Sequence, residues 1–483
     1  MSRIAKSFFA LLLLLFALPL LADDEDRFEL KYGKDLPLHG GTVSIDHRFG
    51  DLTVRTHSAG VVAVRATIRS SDPEIGKQIR ITASEGPGGV QIRTDFPRLR
   101  EIHNVSYSVD MTVTLPQNAS VNARNEFGNI DARGIQAASS FANKQGSITL
   151  QGSRGAQTVT NAFGAIEVID TAGDLNITNG NGGITVRNVD GGLTVNNRFG
   201  NISVADVQRS ATLVNSNGNI DAVDVKGALK ATNAFGNVKA STIGGGADIT
   251  NSNARVDLSN VTGPATVRNS FGTVVAQTIR GPLTVNSENG RVDASGISGV
   301  AKIDTTFGAI NLSNASSSAS LTSANGNINA TDVAGNFAAE TRFGTVKAER
   351  VRGSATVRSS NGSVTLTDVG SGASVDTTFG SVFIENVGGA VDVDNSNGAI
   401  SVSGLRGGCH PVTLHTSFSS IKVGLPANTG YNVSARTSFG RINSALPVTA
   451  SSLSEANVSG TINGGGCKLE LVNSNGNITI DRD

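Results

Sequence analysis

The sequence predicts an all-β protein: a β-solenoid (β-helix) of stacked 18-residue units in an alternating 36-residue pattern, with less regular β caps. Three observations carry this. A Phe-Gly step recurs every 36 residues, at Phe127, Phe163, Phe199, Phe235, Phe271, Phe307, Phe343 and Phe379. A second marker, mostly Asn-Gly, lies midway, at Gln145, Asn181, Asn217, Asn253, Asn289, Asn325, Asn361 and Asn397. The residues around both markers fall into fixed columns. Three positions after a marker the residue is always Ile or Val, as at Ile202, Ile220 and Val238, and two positions before it is Asn, Ser or Thr, as at Asn215, Asn233 and Thr305.

Within a unit the apolar residues alternate with polar ones at period two, as in Ile202-Ser203-Val204 and Ala211-Thr212-Leu213-Val214. That is the signature of short, half-buried strands. Each strand is bounded by a marker step and by a second turn such as Val225-Lys226-Gly227 or Val261-Thr262-Gly263. Glycine reaches positive φ without steric cost, which suits both corners. No helical periodicity is visible outside the N-terminal leader. A single unit buries almost nothing, so neighbours must stack to pair strand edges and join the apolar columns. In the Asn/Ser/Thr column, stacked amides and hydroxyls are expected to bond along the stack and satisfy the turn backbone.

One turn could hold a single unit, with Phe and Asn alternating along one column, or two units, with Phe stacked on Phe. The strict alternation suits two. The thin core suits one, because the chain has no Trp and only 3 Tyr. The balance favours one unit per turn.

The chain divides into four parts. Residues 1–22 read as a secretory signal peptide, with Arg3 and Lys6 ahead of the apolar run Phe8 to Leu21. Residues 23–122 form an irregular N-terminal β region, 123–404 the regular array, and 405–483 a C-terminal β cap. Gly41 to Ile45 with Phe49-Gly50 look like a degenerate unit, and Arg93, Arg98 and Arg100 like a solvated basic face. Atypical end units are expected, because bare strand edges invite aggregation. Cys409 and Cys467 are a disulfide candidate in the C-terminal cap of an exported protein.

Lys+Arg and Asp+Glu both number 40, so no basic surface argues for nucleic acid. No segment after the leader is apolar enough to anchor in a membrane as a helix. The expected location is the periplasm, the cell envelope or the medium. The six histidines lack zinc-ligand spacing. The recurring Asp206, Asp224, Asp332 and Asp368 sit in a column too mixed for a calcium ladder, and an Asx-type turn accounts for them. No catalytic, cofactor-binding or metal-ligating residue is assigned.

The motifs Asn-Ser-Asn-Gly-Asn-Ile at 215–220 and 473–478, Phe-Gly-Asn-Ile, and the ending Gly464-Gly465-Gly466-Cys467-Lys468-Leu469-Glu470-Leu471 resemble the bacterial putative-adhesin β-strand-repeat family. Its members are exported domains of unknown function, similar to autotransporter adhesin heads. The resemblance covers residues 40 to 483. It implies a cell-envelope location and an adhesive or envelope-stress role, and it brings no catalytic residues. The expected function is a non-catalytic binding or structural protein. Its partner would be a cell-wall or extracellular glycan, or an envelope protein, met by long faces of Ser, Thr and Asn. The alternative is a carbohydrate-active β-helix enzyme, a polysaccharide lyase or hydrolase. Three or more charged side chains gathered in one groove would favour it.

Overall fold

The structure, a computed structural model, describes residues 28–97 and 105–483. The leader, Arg98 and Arg100 lie outside the described residues. The fold is a β-solenoid with one repeat unit per turn. Residue i pairs with residue i+18 in parallel register, so Phe163 pairs with Asn181 and Asn181 with Phe199. Phe and Asn therefore alternate along one column, and the longer repeat is two coils.

Each coil contributes one strand to each of two facing sheets. In the coil built from Leu193–Phe199 and Ile202–Val207, the side chains of Leu193, Val195, Ile202, Val204 and Val207 are buried. Burial alternates because successive side chains in a strand point to opposite faces. The second strand breaks that rhythm. Asp206 has φ 60, and this left-handed step turns Val207 back into the core. Positions 18 apart repeat the step: Asn188, Asp224, Thr242, Asn260, Thr278 and Arg350 have φ between 56 and 58, and Gly296 and Gly404 have φ 67. Asp, Asn and Gly tolerate this conformation, which is why the aspartate column is mixed. The shared requirement is a backbone angle, and it supersedes the Asx-turn reading.

The buried polar column heads the marker corner. Asn161 Nδ2 donates to the Gly146 carbonyl of the preceding coil at 2.8 Å and to Gly164 of its own coil at 3.2 Å. Asn233 repeats this at 3.0 Å to both Gly218 and Gly236. The amides thus satisfy corner carbonyls and do not bond to one another as expected. From Ser287 to Thr377 hydroxyls replace the amides, and Ser323 Oγ reaches Gly308 at 3.1 Å. At the corner, Gly200 has φ 115, and a Cβ there would strike the Gly182 carbonyl of the preceding coil.

Both ends are closed by irregular pairing. At the N-terminus, Val61–Ser70 runs antiparallel between Phe28–Pro37 and Tyr107–Pro116, which in turn pairs parallel with Leu52–His57. The facing sheet is covered by the Arg80–Gly86 and Gly89–Asp95 hairpin. The segment 42–57 is a true coil: Thr42–Asp46 stacks between Gly89–Asp95 and Ser120–Phe127. One helical turn, Pro73–Gly76, departs from the all-strand expectation. Asp72 Oδ1 caps it by accepting from the Glu74 and Ile75 amides, and so short a turn shows no period in the sequence. At the C-terminus the chain departs from sequence order. Cys467–Asn475 inserts between Val412–Phe418 and Tyr431–Phe439, parallel to both. The Val448–Leu453 and Asn457–Ile462 hairpin then covers Tyr431–Phe439.

Candidate functional site

The marker corners build the most distinctive surface. In Leu193–Phe199 alternation puts Asn197 inside and Arg198 outside. Phe199 would come next inside. The Gly200 turn begins there and leaves the ring projecting from the edge, 43 % exposed. The same geometry applies to every Phe marker, with exposure from 37 % at Phe127 to 76 % at Phe439. The phenylalanines are therefore surface residues, and the large and small side chains of the column interdigitate on the outside, not in the core.

The ladder continues through the C-terminal cap in spatial order. Asn475 lies between Phe418 and Phe439, and Asn395 pairs with Thr416 two positions before Phe418. The column there reads Phe379, Asn397, Phe418, Asn475, Phe439, alternating without interruption although the chain visits the last two in reverse. In all, ten phenylalanines alternate with nine Asn or Gln residues. With strands about 4.8 Å apart, the rings stand about 9.6 Å apart over about 86 Å. Sequence reasoning did not place Phe418, Phe439 and Asn475 in the ladder, because they break the regular count. The matching motifs Asn215-Ser216-Asn217-Gly218 and Asn473-Ser474-Asn475-Gly476 were the available signal.

Between rings the Asn side chains fold down. Asn217, Asn325, Asn361 and Asn397 donate from Nδ2 to the carbonyl of the residue before the preceding Phe, at 3.3 to 3.5 Å. Asn181 and Asn289 occupy the same column. At the N-terminal end the pattern changes: Phe49 stacks on Phe127 in the next coil, ring centroids 5.0 Å apart and planes 5° apart. Phe96 and Tyr107 pack edge-on against Phe49.

A second feature is an open groove of about 670 Å³ along the left-handed column, lined by Asp332, Arg350, Arg352, Asp368 and Arg406 among others. It meets the condition of three or more charged groups in one groove. Its carboxylates are paired, however. Arg350 holds Asp332 through Nε–Oδ1 at 2.7 Å and Nη2–Oδ2 at 2.9 Å, and Arg406 lies 3.7 Å from Asp368. The hydrogen bond from Arg350 lowers the Asp332 pKa, and that from Lys347 lowers the pKa of nearby Glu349. A general acid needs the opposite shift.

Cys409 and Cys467 are disulfide-bonded, with Cα atoms 5.6 Å apart. The bridge ties the inserted strand to the connection preceding its neighbour Val412–Phe418. Arg93 pairs with Asp95 at 2.8 Å. Among the described residues no three His, Cys, Asp or Glu side chains gather as a metal site would require, and no helix is long and apolar enough to cross a membrane.

Part of this stack of parallel strands matches a known family. Residues 332–481 match the Toastrack DUF4097 family. The toastrack match spans the last coils of the regular array and nearly all of the C-terminal cap, and the coils before it repeat the same columns in the same register. Two solved structures are similar to the chain. A putative cell adhesion protein from Clostridium sporogenes ATCC 15579 is 11% identical, covering 46% of this chain and 100% of that one, with a TM-score of 0.21. A putative adhesin from Parabacteroides distasonis ATCC 8503 is 11% identical, covering 66% of this chain and 97% of that one, with a TM-score of 0.16. No curated protein matches.

Proposed function

We propose that this protein is an exported, non-catalytic binding protein of the cell envelope, of adhesin type. The observation that carries the reading is the phenylalanine ladder. The core is filled by the aliphatic columns without it, and exposed apolar surface of this extent marks an interaction site. The faces beside it carry Ser, Thr and Asn, suited to weak, repeated contacts with a cell-wall or extracellular glycan or with an envelope protein. The disulfide fits an oxidising compartment. Retention of the purified mature protein on cell-wall glycan, on extracellular polysaccharide and on envelope extract tests the reading. Specific retention on one of them is expected, and absence of binding to all three, together with no self-association of the protein, would overturn it.

The charged groove is the one observation that favours a carbohydrate-active enzyme. That reading predicts release of new chain ends from polysaccharide, lost in the double variant Asp332→Asn, Asp368→Asn. Both carboxylates are paired with arginines, and the lowered pKa of Asp332 argues for no release by either protein.

A further inference from the structure

We propose that the phenylalanine ladder is a homotypic interface. Two copies pair along it, antiparallel about a twofold axis, each ring of one copy seated over the Asn-bearing coil between two rings of the other. The inference rests on the reading of the ladder as a binding surface, and it names the partner.

Area comes first. A phenylalanine buries about 200 Å² when fully covered, so a half-exposed ring leaves about 100 Å² uncovered. Ten rings amount to about 1,000 Å² along one edge, divided into separate rings by the Asn-bearing coils. Covering that edge on both copies removes about 2,000 Å², the size of a stable interface.

Register decides the occupant. A partner that engages more than a few rings must repeat at two coils, about 9.6 Å, over the whole edge. A second solenoid has that period by construction, with no mismatch to accumulate.

Shape agrees. The Asn side chains between rings lie against the backbone, as Asn217 does on the Arg198 carbonyl. The slots they leave are one coil wide on either side of an incoming ring. Interdigitation would therefore place rings about 4.8 Å apart, within the range that aromatic pairs adopt. The molecule already contains this arrangement. Where two successive coils both carry phenylalanine, Phe49 and Phe127 stack at 5.0 Å. A second copy would extend that stack along the edge. The row next to the rings is mostly uncharged near its centre, with Ala234, Ser252, Ser270, Thr306 and Ala324, and Glu288 is the one charge among them. A twofold contact of this kind is self-complementary and closes as a dimer.

The test uses the mature protein and the variant Phe199→Ser, Phe235→Ser, Phe271→Ser, Phe307→Ser. These rings are outside the core, and circular dichroism and the thermal midpoint verify that the variant folds. Sedimentation equilibrium should show a dimer at micromolar concentration for the parent, weakened at least about 100-fold in the variant. Orientation is read with a short bismaleimide. Asn289→Cys, near the twofold axis, should crosslink, and Asn181→Cys, far from its own image, should not. A parent that stays monomeric, a dimer indifferent to the four substitutions, or crosslinking at both cysteines would overturn the proposal. If the parent is monomeric but the variant loses glycan retention, the ladder is a glycan platform: pairing fails and the binding reading stands. If neither protein binds anything, both fail.

Discussion

Acidification should loosen the N-terminal cap through a single side chain. His47 occupies the position two before Phe49, so it heads the buried column that Asn125, Asn143 and Asn161 continue. It is fully buried, with Nδ1 3.1 Å from Thr94 Oγ1. Burial pushes its pKa from 6.5 down to about 4, against the opposing influence of backbone hydrogen bonds and of Asp110 and Asp46. Above pH 6.5 the ring is neutral in both folded and unfolded chains, and it adds no pH dependence. Between 6.5 and 4 the unfolded chain takes up a proton that the folded chain refuses, so stability falls as pH falls. A span of about 2.5 units at about 1.4 kcal/mol each gives a loss of about 3 kcal/mol by pH 4. Urea unfolding followed by tyrosine fluorescence measures it. In a Tyr431→Phe background the remaining tyrosines, Tyr32 and Tyr107, both report the N-terminal cap. The slope between pH 6.5 and 4.5 should be steep with His47 and nearly flat in His47→Gln. Equal slopes in the two proteins would refute the assignment.

Other substitutions probe the coil itself. Thr278 holds φ 56, which a β-branched residue adopts at a cost of about 1–2 kcal/mol, so Thr278→Asn should raise stability by about 0.5–1 kcal/mol in urea titration. Asn215→Ala removes the 2.9 Å bond to the Gly200 carbonyl, which keeps its 3.0 Å bond from Asn197, so the substitution should cost about 0.5–1.5 kcal/mol by the same measurement. Reducing the Cys409–Cys467 bridge, which spans 58 residues, should cost the C-terminal cap about 4 kcal/mol on the chain-entropy argument. Proteolysis should then cut first within 405–483, leaving the array intact. Tyr431→Phe should be neutral or slightly stabilising, because the buried hydroxyl has no partner.

The array was legible because a fixed period is a property of neighbours in the chain. Ile202, Ile220 and Val238 declare their column by counting, and so does the one-unit turn once the thin core is weighed. The ladder was harder. Apolar character and strict alternation both assign Phe199 to the interior, and only the backbone turn at Gly200 reverses it. The left-handed column hid behind mixed chemistry: Asp206, Asn188, Thr242 and Gly296 share no side-chain property and one backbone conformation. The cap was legible only as less regular. The neighbour of Val412–Phe418 is Cys467–Asn475, with five other strands between them in the chain, and nothing local to either announces the pairing.

That displaced strand also bears on how the molecule is made. Successive coils of the array close over a single repeat unit, so they can form as the chain emerges. The slot between Val412–Phe418 and Tyr431–Phe439 stays vacant until residues 467–475 are released. Its closure spans a far longer loop and so comes late and slowly. Until then two strand edges stand open at the growing end, able to capture a strand from another nascent chain. The last coil is thus a timing device: it makes the end of assembly wait for residues 467–475.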